Sequence, residues 1–243
     1  MKKYKLIMSD LDNTLLPIYT QEKFADMWFK DIGRKFIDHG LDPKRCLEGM
    51  NSAVRAMVYN ESGKKNIEVF YEKAEQISGY PRDLIAQVAD DYYTTTFENV
   101  YDLTLPNPYA PVIAGLMRSK AEHAVIATMP IFTIEAVTAR LRWIGLTPDM
   151  FDHVTTAENS SYCKPNTNYF TEILDRFSVK PREALMIGND VREDMQPCKA
   201  LGIDTFLVTD HIITHKLPYS EYRQGSYAEL VSFLENLPDT DFQ

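Results

Sequence analysis

Lys5-Leu6-Ile7-Met8-Ser9-Asp10-Leu11-Asp12-Asn13-Thr14-Leu15-Leu16 is a short apolar run that ends in two carboxylates one residue apart. Leu6 to Met8 reads as a buried strand. At the end of an extended segment, residues i and i+2 point to the same side, so Asp10 and Asp12 face one space. Two carboxylates there repel unless a cation or a shared proton separates them. Their hard oxygens suit Mg2+. Taken alone, the stretch is also compatible with a simple polar turn, and the rest of the chain has to decide.

Downstream the text changes. From Pro17 to about Val100 it is helical, with no clear strand. Phe24, Met27, Trp28 and Ile32 recur at helical spacing. Pro43 opens a second run with Leu47, Met50, Val54, Met57 and Val58. Ile67, Phe70, Tyr71, Ala74 and Ile77 form a third apolar face, which Gly79 ends, and Pro81 opens a fourth run with Leu84, Ile85 and Val88. Pro106, Pro108 and Pro111 then stiffen an extended return.

Beyond Pro111, helices alternate with short apolar strands at 124–128, 153–155, 184–187 and 205–208. One helix of this half should bury Ile134, Val137, Leu141 and Ile144. Ser226-Tyr227-Ala228-Glu229 has the form of a capping box opening a last helix. Such alternation predicts an α/β fold, with a parallel sheet covered on both faces by helices. The opening strand belongs to that sheet. The expected division is therefore a Rossmann-like three-layer α/β/α core over 1–16 and 104–243, interrupted by an all-helical domain over 17–103.

The formal charge of −9 argues against a nucleic-acid surface. Cys46, Cys163 and Cys198 lie far apart, without metal-ligand spacing. With no signal-like or membrane-length apolar run, they point to a cytoplasmic protein with no membrane partner. Nothing separates a monomer from a homodimer.

Four polar clusters fall at or just after strand ends: Asp10-Leu11-Asp12-Asn13-Thr14, Thr128, Lys164-Pro165, and Gly188-Asn189-Asp190-Val191-Arg192-Glu193-Asp194. Each alone has an ordinary structural explanation. Thr128 is a β-branched strand residue, Lys164 a loop lysine, and Asp194 a helix cap. Together and in this order they resemble the motifs of the haloacid dehalogenase-like (HAD) superfamily, and the helical insert resembles that family's C1 type of cap.

The resemblance implies a Mg2+-dependent phosphatase acting on a small phosphorylated metabolite through an aspartyl-phosphate. Asp10 would be the nucleophile and Asp12 the general acid and base, with Lys164 neutralising charge. Thr128 and the adjacent Met129 would line the phosphate site. Asp10, the backbone carbonyl of Asp12 and Asp190 would hold the metal, with Asn189 as the alternative ligand. A carboxylate binds Mg2+ better than an amide, which favours Asp190. Thr14 would steady the turn, and Asp194 would orient Lys164 or a metal-bound water. Many relatives carry Asn where Met129 stands, so the substrate end of the site is expected to be less polar. The same motifs leave open a sugar phosphomutase or a non-catalytic phosphate-ligand binding protein. In the insert, Lys64 and Lys65 read as solvated or as reaching a remote substrate charge. Tyr92, Tyr93 and Phe97 read as core or as cleft wall.

Overall fold

The computed structural model describes residues 3–239. Six parallel strands form one sheet in the order β3-β2-β1-β4-β5-β6. They are β1 (Leu6–Ser9), β2 (His123–Ile126), β3 (His153–Val154), β4 (Ala184–Gly188), β5 (Asp204–Val208) and β6 (Gln224–Gly225). β1 lies in the middle, paired on both sides, and all four of its residues are buried. Its run of apolar residues without polar alternation follows from that position.

Successive residues of β1 feed opposite faces of the sheet. Ile7 packs with α5 (Ala110–Lys120), α6 (Ile134–Trp143) and α9 (Tyr227–Glu235). Leu6 and Met8 pack with α7 (Thr167–Arg176) and α8 (Gln196–Leu201). The core is thus three layers. The chain fills the sheet outward from β1 in one direction, then returns to β4 and fills the other, so the order reverses between β1 and β4. Open α/β sheets bind ligands at the carboxyl ends of the strands at such a reversal.

Between β1 and β2 come α1 (Gln21–Asp38), α2 (Pro43–Val58), α3 (Asn66–Ser78), α4 (Arg82–Thr95) and a 3-10 segment, Phe97–Leu103. Their starts follow the sequence signals. Thr20 and Asp42 cap α1 and α2 through their side chains. Gly79 closes α3 at φ +71°, in the left-handed region. The apolar core of α1, α2 and α4 continues onto Ala136 and Ala139 of α6, so the insert is packed against the three-layer part.

Several expectations need adjustment. β2 stops at Ile126, leaving Thr128 beyond the strand. Ile77 and Ile134, placed by periodicity on buried faces, are each 38% exposed. Both sit at helix ends, where the packed face runs out. β6 has only two residues and gave no periodic signal.

Candidate active site

The register of the sheet aligns the strand ends. Ser9 pairs with Ile126 and with Ile187, so Asp10 and Ala127 leave the sheet beside Gly188, the last residue of β4. The side chains that follow converge on a cleft of about 270 Å³. Asp10, Asp12, Thr128, Met129, Lys164, Asn189, Asp190 and Asp194 all line it.

Lys164 is the hub, at 2% exposure. Its Nζ donates to Asp10 Oδ1 at 2.8 Å and to Asp194 Oδ1 at 2.7 Å. Burial by itself would lower this ammonium, but Asp10 and Asp194 outweigh it and hold it well above its ordinary value. Burial pushes the Asp194 carboxyl up, against the pull of Lys164. Asp194 Oδ2 also accepts the backbone N–H of Asp190 at 3.1 Å, which ties the lysine to the loop after β4. The cap of the helical turn that follows is Asp190, not Asp194: Asp190 Oδ1 accepts the N–H groups of Arg192 and Glu193. Gly188 is required here, because a Cβ at this position would collide with the Asp194 side chain.

Thr14 links the first and fourth clusters. Its hydroxyl lies 3.2 Å from Asp10 Oδ2 and 3.0 Å from Asn189 Oδ1. Two oxygens from different strands therefore meet at one hydroxyl. Asp190 is engaged elsewhere, with Oδ2 2.7 Å from His215 Nε2.

Asp12 Oδ2 is paired with the guanidinium of Arg140, while its Oδ1 is buried without a partner. Burial raises the Asp12 carboxyl; Arg140 opposes the rise and Asp10 adds to it. Thr128 Oγ1 is likewise buried and unpartnered. The Thr128 carbonyl is fixed by Thr155 Oγ1 and Tyr169 OH, each at 2.8 Å, so its free hydroxyl is carried on a rigid backbone.

These oxygens fit a divalent cation. By formal charge, the five carboxylates lining the cleft, Asp10, Asp12, Asp190, Glu193 and Asp194, exceed the three basic side chains beside them, Lys164, Arg140 and Arg192, by two. Among the described residues no three acidic, His or Cys side chains close on one point. A cation here would be shared with backbone or amide oxygens, as hard-ion sites allow.

Sequence reading missed Arg140 and His215. Arg140 is fully buried and sits in α6 between Ala139 and Leu141, beside the helix's apolar face. A basic residue at that border was the one available signal. His215 comes from the loop after β5, which has no periodicity to read. Outside the cleft, Lys64 pairs with Glu72, and Lys65 Nζ binds Glu172 Oε1 at 2.7 Å and the Asn159 carbonyl at 2.9 Å. Lys65 thus ties insert to core. Asn66 does so more deeply, donating to the Pro130 carbonyl at 3.1 Å. Tyr92 and Phe97 are core residues, and Tyr93 lines a separate apolar cavity.

The family model for haloacid dehalogenase-like hydrolases matches residues 4–202. A glyceraldehyde 3-phosphate phosphatase of Pyrococcus furiosus is 32% identical over 239 residues, covering 98% of this chain and 94% of that protein. One of the same name from Methanocaldococcus jannaschii is 27% identical, covering 96% and 98%. Among solved structures, a 2-haloacid dehalogenase from Pseudomonas syringae pv. Tomato superposes with a TM-score of 0.62 at 19% identity, covering 97% of this chain and 99% of that one. It shares the fold.

Proposed function

The chain belongs to the haloacid dehalogenase-like hydrolases, and from that premise we propose that it is a Mg2+-dependent phosphatase working through an aspartyl-phosphate on Asp10. The observation that carries this reading is the Asp10 carboxylate, held between Lys164 and Thr14 at the sheet reversal, with Asp12 beside it on Arg140. Full-length relatives named as phosphatases support the reaction class.

Asp10 attacks phosphorus, forming a carboxyl O–P bond as the bond to the leaving oxygen breaks. Asp12 gives its proton to that oxygen from Oδ1, the atom without a partner. Its raised pKa helps it keep the proton until then. Water then attacks the phosphorus, Asp12 takes the proton, and Asp10 is released. Thr128 Oγ1 donates to a phosphoryl oxygen, and Lys164 offsets charge on Asp10 and the transferring group.

Mg2+ would be held by Asp10, the Asp12 carbonyl and a third oxygen near Asn189 and Asp190. Bound there it would supply charge neutralisation between two anions. Asn189 as the third ligand is supported by Thr14, which brings its Oδ1 beside Asp10 Oδ2, with Asp190, whose oxygens accept from Arg192, Glu193 and His215, as the alternative. The helices of 17–103, tied to the core through Lys65 and Asn66, act as the cap that excludes water.

Phosphate release from p-nitrophenyl phosphate tests the reading. It should require Mg2+ and be abolished by Asp10→Asn; full activity in EDTA, or in that variant, would refute it.

A further inference from the structure

A second cavity, of about 240 Å³, lies between the helices of the insert and the loop after Thr128. Its walls come from α1, α2, α3, α4 and the loop after Thr128, and no lining side chain is charged. Packed interiors leave few voids larger than a water molecule, because every wall of an empty one loses dispersion contacts. Apolar cavities of about 150 Å³ take up benzene. This one has room for a fused pair of rings or a branched chain of similar bulk.

The cavity adjoins the catalytic cleft. Ile131 and Phe132 line both spaces. The Phe132 ring meets Trp28 of the cavity edge-on, with centroids 6.2 Å apart, and the Arg140 guanidinium lies 4.5 Å from its centroid. Arg140 in turn holds Asp12, the group that protonates the leaving oxygen. The leaving group therefore departs beside Phe132. Met129 continues the apolar surface on the cleft side. Two polar atoms of the residues in the cavity wall, Trp28 Nε1 and Thr133 Oγ1, are buried and make no hydrogen bond.

We propose that this cavity receives the organic part of the ester, and that the substrates are phosphomonoesters of bulky apolar alcohols rather than of sugars or other polyols. The inference rests on the phosphatase reading above. A chain of hydroxyls or a second phosphate in this space would lose its water and find no charged partner and few polar ones. An aryl or branched alkyl group loses nothing by entering. One ether or carbonyl oxygen on it would satisfy Thr133.

The test compares 2-naphthylmethyl phosphate with glyceraldehyde 3-phosphate on the Mg2+-loaded protein. Both leaving groups are primary alcohols, so their intrinsic reactivities are similar. Wild type should favour the naphthylmethyl ester by at least about tenfold in kcat/KM. Ala89→Leu, which fills the cavity from α4, should lower that ratio by about tenfold or more, and Val54→Phe should do the same from α2. Calorimetry with the phosphate-free alcohol, 2-naphthalenemethanol, should show binding to wild type and none to whichever filled variant folds. Preference for glyceraldehyde 3-phosphate, or a ratio that filling leaves unmoved, overturns the proposal while the phosphatase reading stands. If neither ester is cleaved but the alcohol binds and filling prevents it, the apolar site is supported and the hydrolase reading fails.

Discussion

The cleft and the cavity stand side by side and are built by opposite means. In the cleft, polar groups from the ends of β1 and β4, from the segment before α7 and from α6 are fixed by named hydrogen bonds: Lys164 to Asp10 and Asp194, Thr14 to Asp10 and Asn189, Arg140 to Asp12. Sheet register sets its geometry. In the cavity, uncharged side chains from four helices and the loop after Thr128 leave a space set by side-chain packing. The difference separates two tasks. Charged groups are held by directed hydrogen bonds around the strand ends, and the apolar surface beside them is set by packing alone.

Substitutions can break or sharpen that contrast. The largest effect belongs to Lys164→Met. It strands Asp10 and Asp194 without their cation, so stability should fall by about 3–5 kcal/mol in urea unfolding and phosphate release should drop about a thousandfold. A variant of normal stability would show that the cleft is not electrostatically framed. Next comes Thr128→Ala, which removes an unpartnered donor. Here kcat should fall about a hundredfold with unchanged stability, because no hydrogen bond of the free protein is lost. A fall in stability would mean that Thr128 is part of the fold rather than of the site.

Smaller effects test how the two regions are joined. Asn66 is fully buried and bonded across to Pro130, so Asn66→Ala should cost about 1–3 kcal/mol in the same unfolding assay. Activity at saturating substrate should change far less than it does for Lys164→Met, since no catalytic group is touched. The smallest lies at the sheet edge. Burial holds the His153 imidazole at about 4, below its ordinary 6.5. A lowered base binds protons more readily when unfolded, so its contribution is whole above pH 6.5 and is lost as pH falls towards 4. The midpoint of thermal unfolding should drop between pH 7 and 5, and less so in His153→Gln.

The same contrast decides what could be read from the chain. β1 to β5, apart from the end of β2, the helical insert and the position of Asp10 were legible because period and strand-end chemistry are local; the two-residue β6 was not. Lys164 and Asp194 were legible as motif members, and the structure joins them through a 2.7 Å ion pair. Arg140 was not legible, because helical spacing distinguishes buried from exposed faces but does not say that a cation on the border turns inward. His215 was hidden for a different reason: the bond that matters, to Asp190, spans a loop without pattern. The cavity was invisible throughout. Trp28, Met50, Met57 and Phe70 read as core stripes, and a stripe carries no information about the space left between helices.

The account rests on Asp10 taking the phosphoryl group itself. Acid quenching within a single turnover of p-nitrophenyl phosphate, followed by peptide mapping, tests this most directly. A phosphorylated peptide carrying the label on Asp10, absent in Asp10→Asn, is the predicted result. Phosphate released at the full rate with no phosphorylated peptide, or with the label on another residue, would contradict it.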